Sequence, residues 1–212
     1  MAQAQERDLA VVIGLEVHVQ LETATKIFCG CSTAAAEEPN AHTCPVCLGL
    51  PGALPVLNEA AVESAVKVGK AIDAGICQDG ELSFSVAGER RTVGIRRAHL
   101  EEDPGSLTHK GGSIDTAEYT LIDYNRAGTP LLEIVTEPDF RGADEVRSFL
   151  AKLEEVLEYL GVFDASRDGS LRVDANLSVV DADEVGEGGA VDEEVLEAAN
   201  RTEVKNISSH KG

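Results

Sequence analysis

Residues 8–22, DLAVVIGLEVHVQLE, alternate strictly between apolar and polar positions. Val11, Ile13, Leu15, Val17, Val19 and Leu21 fall on one side of an extended chain; Gly14, Glu16, His18, Gln20 and Glu22 fall on the other. A repeat of two marks a half-buried strand, here with a carboxylate, an imidazole and an amide in one row. Residues 171–180 repeat the device, setting Leu171, Val173, Ala175, Leu177 and Val179 against Arg172, Asp174, Asn176 and Ser178. Shorter extended runs are expected at 81–87 and 91–98, a hairpin turning at Gly88-Glu89. Two more are expected at 118–124 and 131–137, joined through NRAGTP, and a last one in RTEVKNIS. Helical spacing occurs twice. Asn58 is a good N-cap for a helix over 59–73, with Val62, Val66, Gly69 and Ile72 near one face. Val146, Leu150, Leu153, Leu157 and Leu160 make the stripe of a helix over 143–160, which Gly161 ends. Residues 26–57, rich in Cys, Pro and Gly, read as a compact loop. Residues 181–199 read as an acidic surface excursion with a short helix.

Strands outnumber helices and include hairpin pairs, which predicts an α+β fold with a largely antiparallel sheet. The apolar strand faces would pack on the helices, leaving the charged faces to line an open, polar cradle. The whole chain, 1–212, reads as one domain carrying the loop 26–57.

Composition sharpens this picture in two ways. Aromatic residues are only 4 %, with no Trp and one Met, so the core must be built mainly from Val, Leu, Ile and Ala. Thirty-eight acids face eighteen bases, a formal charge of −20. Such a charge argues against a broad, non-specific grip on nucleic acid, so any RNA contact must be local or use other subunits. Spread along the chain, it suggests adaptation to a salty cytoplasm, where self-repulsion is screened. The competing reading is a disordered acidic segment, against which the regular apolar periodicity speaks. No basic flank precedes an apolar signal region, and no apolar run reaches membrane-spanning length, so a soluble, cytoplasmic protein is expected.

Three groups carry candidate chemistry. Cys29-x-Cys31 and Cys44-x-x-Cys47 are two close pairs at zinc-knuckle spacing, and four thiolates complete a closed, structural tetrahedral site. Ordinary buried thiols are the alternative; Cys77 stands apart and reads as inert. A second group collects Glu16 and His18, Glu101-Glu102-Asp103, Glu133 and Glu137, Asp174, and Glu203, each in or beside an expected strand. Brought together, such acids focus negative charge that a divalent ion with hard oxygen ligands would neutralise. A solvated acidic face is the alternative. The third group, Arg90-Arg91, Arg96-Arg97, Arg126, Arg172 and Lys205, could clamp phosphates or simply pair with the many acids. With no Walker-type or GxGxxG loop, a nucleotide would have to be held through carboxylates and magnesium.

The motifs VIGLEVHVQLET, KIFCGCST, CPVCLGLPGALPVLN, GIRRAHLEEDPG, DYNRAGTPLLEIVTEPD, GSLRVDANLSV and RTEVKNISS occur in this order. Together they resemble the B subunits of the tRNA-dependent amidotransferases (GatB), and the related archaeal GatE proteins less closely. The resemblance implies a glutamine-synthetase-like cradle. It implies ATP-dependent phosphorylation of the side-chain carboxylate of Glu on tRNA(Gln) or Asp on tRNA(Asn). Amidation follows, with ammonia that the A subunit releases from glutamine, in a heterotrimer with the A and C subunits. Carried over motif by motif, His18, Glu102 and Glu133 match the family's magnesium ligands. Glu16, Asp174 and Glu203 match nearby acids, and Lys205 a base near phosphate. Cys29, Cys31, Cys44 and Cys47 match a zinc site found in many members. Two departures stand out. An aromatic-rich stretch that the family carries between AIDAG and ICQDGEL is absent here, and the chain stops just after KNISS. This chain alone is therefore expected to show little or no amidotransferase activity. Two rival functions are a zinc-stapled scaffold for an amidase and a free-standing glutamine-synthetase-like ligase for a small carboxylate.

Overall fold

β1, Leu9–Gln20, is the strand on which the rest is organised. Its odd positions from Ile13 to Leu21 are buried, whereas Glu16, His18 and Gln20 remain accessible, as the alternation predicts. The computed structural model describes residues 8–75, 77–167, 169–186 and 189–207. α1 (Glu59–Ala71) follows, then β2 (Gln78–Val86), β3 (Glu89–Glu102), β4 (Ser106–Lys110), β5 (Tyr119–Asp123) and β6 (Pro130–Thr136). α2 (Ala143–Tyr159), β7 (Leu171–Asp181), a 3-10 turn at Ala182–Glu184, α3 (Glu193–Ala198) and β8 (Thr202–Ile207) complete the described chain. Of the expected excursion, residues 187–188 lie outside the described residues, as does Ser208 of the last strand.

Six strands form one sheet in the order β2-β3-β6-β1-β7-β8, with every neighbouring pair antiparallel. The expected α+β architecture is therefore present. Both long helices join the odd positions of β1 in a single hydrophobic cluster on one face of the sheet. Its aromatic centre is Phe84, Phe140 and Phe149, the last meeting the other two edge-on at 5.7 and 5.1 Å between ring centroids.

Three local expectations are corrected. The runs at 118–124 and 131–137 are not sheet neighbours: β5 pairs with β4 in a separate two-stranded ribbon, and β6 enters the main sheet between β3 and β1. The segment between them folds back on Asp103, whose N–H donates to Thr129 O (2.9 Å) and whose carbonyl accepts from Gly128 N (2.8 Å). β3 runs four residues beyond the expected end at Ala98, because His99 to Glu102 pair with β6. On α1 the buried line is Ala61, Ser64, Ala65, Val68 and Gly69, leading to Ile72, whereas Val66 is exposed. Small residues carry this contact: a Cβ on Gly69 would sit 2.8 Å from Cys77 Sγ, so close approach outweighs side-chain hydrophobicity.

A net charge of −20 leaves the folded chain under strong self-repulsion in dilute buffer. Urea unfolding should show a midpoint that climbs steadily with KCl. An unchanged midpoint across the salt series would contradict this.

Candidate functional site

The register of the central strands builds a row of ionisable groups on the face opposite the helices. His99, Glu133, His18 and Arg172 lie side by side across β3, β6, β1 and β7. His18 Nε2 stands 3.6 Å from Glu133 Oε2 and 3.9 Å from Glu101 Oε2. His99 Nε2 lies 2.9 Å from Glu101 Oε1 and 3.9 Å from Glu133 Oε1. Glu133 is buried, and Arg97 Nη2 donates to its Oε1 at 3.1 Å. A carboxylate so far out of water needs such partners or a cation. His18, Glu101 and Glu133 each offer a ligand atom, all within 4.8 Å of one another.

Glu101, rather than Glu102, completes this cluster. Glu101 stands opposite Leu131 in the register, and Glu102 opposite Pro130, so the pleat sends their side chains to opposite faces. Glu102 instead lines a cavity of about 560 Å³ beside Lys26, Cys29, Cys47 and Asp103. His99 was not singled out from the sequence, and Glu101, grouped there with the candidate acids, was passed over as a metal ligand in favour of Glu102. Counting by twos from Arg97 through His99 to Glu101 would have found them, given only that the strand continues through RRAHLEE.

The other expected residues share the polar face but sit in ion pairs and hydrogen bonds of their own. Glu16 and Asp174 are cross-strand neighbours on β1 and β7. Glu16 Oε1 accepts from Asn176 Nδ2 at 3.2 Å, and Asp174 Oδ1 accepts from the Asn206 N–H at 2.7 Å. Lys205 pairs with Glu203 at 3.1 Å, and that hydrogen bond raises the lysine's pKa. Arg96, at a register shift in β3, binds both oxygens of Glu137, which likewise raises its pKa. Thus Arg96 and Arg97 are both engaged by acids here. Asp103 is buried and bridges Arg126 (2.5 Å) and Arg172 (3.2 Å), so a second layer of charge backs the row that holds His18.

The four loop cysteines converge. Cys47 Sγ lies 3.4 Å from Cys29 Sγ and 3.6 Å from both Cys31 and Cys44 Sγ, and all four sulfurs lie within 4.8 Å of one another. These separations are too long for a disulfide of about 2.0 Å. They approach the edge of roughly 3.8 Å that a tetrahedron with Zn–S bonds of about 2.3 Å requires. The backbone N–H of Cys47, followed by that of Val46, lowers the Cys44 thiol to about 6. Burial raises the thiols of Cys29 and Cys31. N–H groups aimed at one sulfur are what a tight metal knuckle supplies, so this donor set fits zinc.

An antiparallel sheet with an imidazole–carboxylate cluster on its open face, flanked by a four-thiol knuckle, defines an acidic cradle domain. Its sequence matches the model of the GatB/GatE catalytic domain over residues 11–78 and 72–212, and the chain belongs to that family. It is 70 % identical to the B subunit of the aspartyl/glutamyl-tRNA(Asn/Gln) amidotransferase of Natronomonas pharaonis, covering 99 % of this chain and 48 % of the relative. The proteins of the same name from Haloarcula marismortui and Halobacterium salinarum are 68 % and 67 % identical. These alignments cover 100 % and 99 % of this chain and 50 % and 48 % of those relatives. The chain thus spans about half the length of the curated relatives it matches. The first alignment runs over 240 positions against 212 residues here, so at least 28 positions lack a counterpart. The family match itself is made in two pieces that overlap at 72–78. Among the described residues, no helix is long and apolar enough to cross a membrane.

Proposed function

We propose that this chain, residues 1–212 with the cysteine loop at 26–57, is part of the B subunit of a tRNA-dependent amidotransferase. In the complete protein the cradle face phosphorylates the side-chain carboxylate of Asp-tRNA(Asn) or Glu-tRNA(Gln) with ATP. Ammonia that the A subunit of the heterotrimer with the A and C subunits releases from glutamine then displaces the phosphate and leaves Asn-tRNA(Asn) or Gln-tRNA(Gln). The reaction is a carbon–nitrogen ligation in the cytoplasm, and the acidic surface suits a salt-rich one. The observation that carries this reading is the meeting of His18, Glu101 and Glu133 on the open face.

Magnesium held there would neutralise the phosphates during in-line transfer. His18 offers a neutral imidazole nitrogen, and Glu101 and Glu133 offer hard oxygens. Glu102, the ligand implied by the motif, lines the neighbouring cavity. Arg97 and Arg96, once released from Glu133 and Glu137, are the cations nearest to incoming phosphate oxygens on β3. Glu16, Asp174, Glu203 and Lys205 border the same face as further catalytic groups, Lys205 being a base placed near phosphate. Zinc in the four-thiol knuckle is structural.

The test combines two measurements. Calorimetric titration with ATP should show heat only when magnesium is present. Mixed with the A and C subunits and mischarged tRNA, the chain should give little or no transamidation, because at least 28 positions of its relative are missing. Robust turnover would overturn the incompleteness, and a silent titration would overturn the kinase role. The same missing positions favour a second reading, a zinc-stapled scaffold for an amidase, which also predicts a silent titration.

A further inference from the structure

Lys26 is almost fully buried, with 1 % of its surface exposed. Its ammonium has three N–H donors and spends them on His42 O at 2.7 Å, Tyr124 O at 2.9 Å and Cys47 Sγ at 3.5 Å. Among the described residues, no carboxylate forms an ion pair with it. Asp123 feels its charge only at longer range, and its carboxylate is held by the N–H groups of Asn125 and Asn40. This full positive charge, removed from water, is hydrogen-bonded to two carbonyl dipoles and a sulfur; Glu102 lines the same cavity and Asp123 acts at longer range, but neither forms an ion pair with it. Four thiolates around one divalent ion carry a net double negative charge, held at a partly buried site beside the lysine. The buried ammonium donates to one of these thiolates, so the two opposite charges meet directly at Cys47.

We propose that Lys26 is the countercharge of a zinc–tetrathiolate centre, donating an N–H to Cys47 Sγ and setting how tightly the metal is held. The inference rests on the zinc reading above. The coupling is reciprocal: the lysine strengthens the metal site, and the metal makes burial of the lysine tolerable. Lys26 also links the knuckle to the cradle, because its second carbonyl partner, Tyr124, opens the turn whose Gly128 N–H reaches Asp103.

The experiment is chelator competition for zinc in the unaltered chain, in Lys26→Met and in Lys26→Gln. Both substitutions should weaken zinc by about 10–100-fold, the range typical for loss of an outer partner of a metal ligand. Repeating the Lys26→Met comparison in a Cys31→His background separates charge from packing. Replacing one thiolate with a neutral imidazole removes a negative charge, so the loss should shrink, whereas a packing role predicts the same loss in both backgrounds. Equal zinc affinity in the unaltered and substituted chains, or an undiminished loss with Cys31→His, overturns the role of Lys26 and leaves the zinc site standing. An unaltered chain that takes up no zinc overturns both. Should neither Lys26 variant fold, NMR of the unaltered chain loaded with cadmium decides. A slowly exchanging lysine ammonium coupled to the metal supports the proposal, and its absence refutes it.

Discussion

Phe149→Ala should lower the unfolding free energy by about 3–5 kcal/mol, the usual range when a buried phenylalanine is truncated. The ring lies fully inside the core and meets Phe84 at 78° and Phe140 at 76°. Edge-to-face pairs add about 0.5–1.5 kcal/mol beyond area burial, so the loss should fall toward the top of that range. Few other residues can compensate, since the chain has five phenylalanines and no tryptophan. Domains of this size carry about 5–15 kcal/mol of stability, so the variant should lose a large fraction of it and melt roughly 6–20 °C lower. Urea and thermal unfolding in molar KCl provide the measurement. A loss below about 1.5 kcal/mol, the range of a volume-conserving swap, would mean that α2 is not seated on the sheet as described.

The second large effect separates two adjacent glutamates. Glu133→Gln and Glu101→Gln should each weaken manganese binding at least about tenfold, whereas Glu102→Gln should leave it unchanged. Each substitution keeps the side chain's size and removes its charge. Manganese shares magnesium's preference for hard oxygen ligands and can be followed through water-proton relaxation. Arg97 is nearly half exposed, so water can replace Glu133 as its partner without loss of fold. If Glu102→Gln were the damaging change and Glu101→Gln the silent one, the end of β3 would be paired one residue out of register. A slip of that kind exchanges the two faces.

These two effects also mark where sequence alone suffices. β1, β7 and α2 were legible because long, regular alternation or a helical stripe leaves few readings. The cysteine knuckle was legible because its ligands are close in sequence. The ribbon of β4 and β5 was missed as a pair because nearly every position in it is exposed, so neither strand has an apolar face to announce it. α1 was placed correctly, but its buried face was offset because alanine, serine and glycine make the contact. The choice of Glu102 over Glu101 came from motif likeness. Ala98 and Leu100 alternate with Arg97, His99 and Glu101, but the strand was expected to end at Ala98, and only its pairing with β6 carries that alternation on to Glu101. The burial of Lys26 had no sequence signal, since its partners are two distant carbonyls and a thiol.

One open face of the sheet gathers an imidazole and two carboxylates that would together hold a divalent ion. The most direct test is NMR of the zinc-loaded chain during manganese titration. The imidazole signals of His18 and His99 should broaden first, while those of His42, beside the knuckle, and His109, on the ribbon, stay sharp. Uniform broadening of all four, or none at any reasonable manganese concentration, would contradict it.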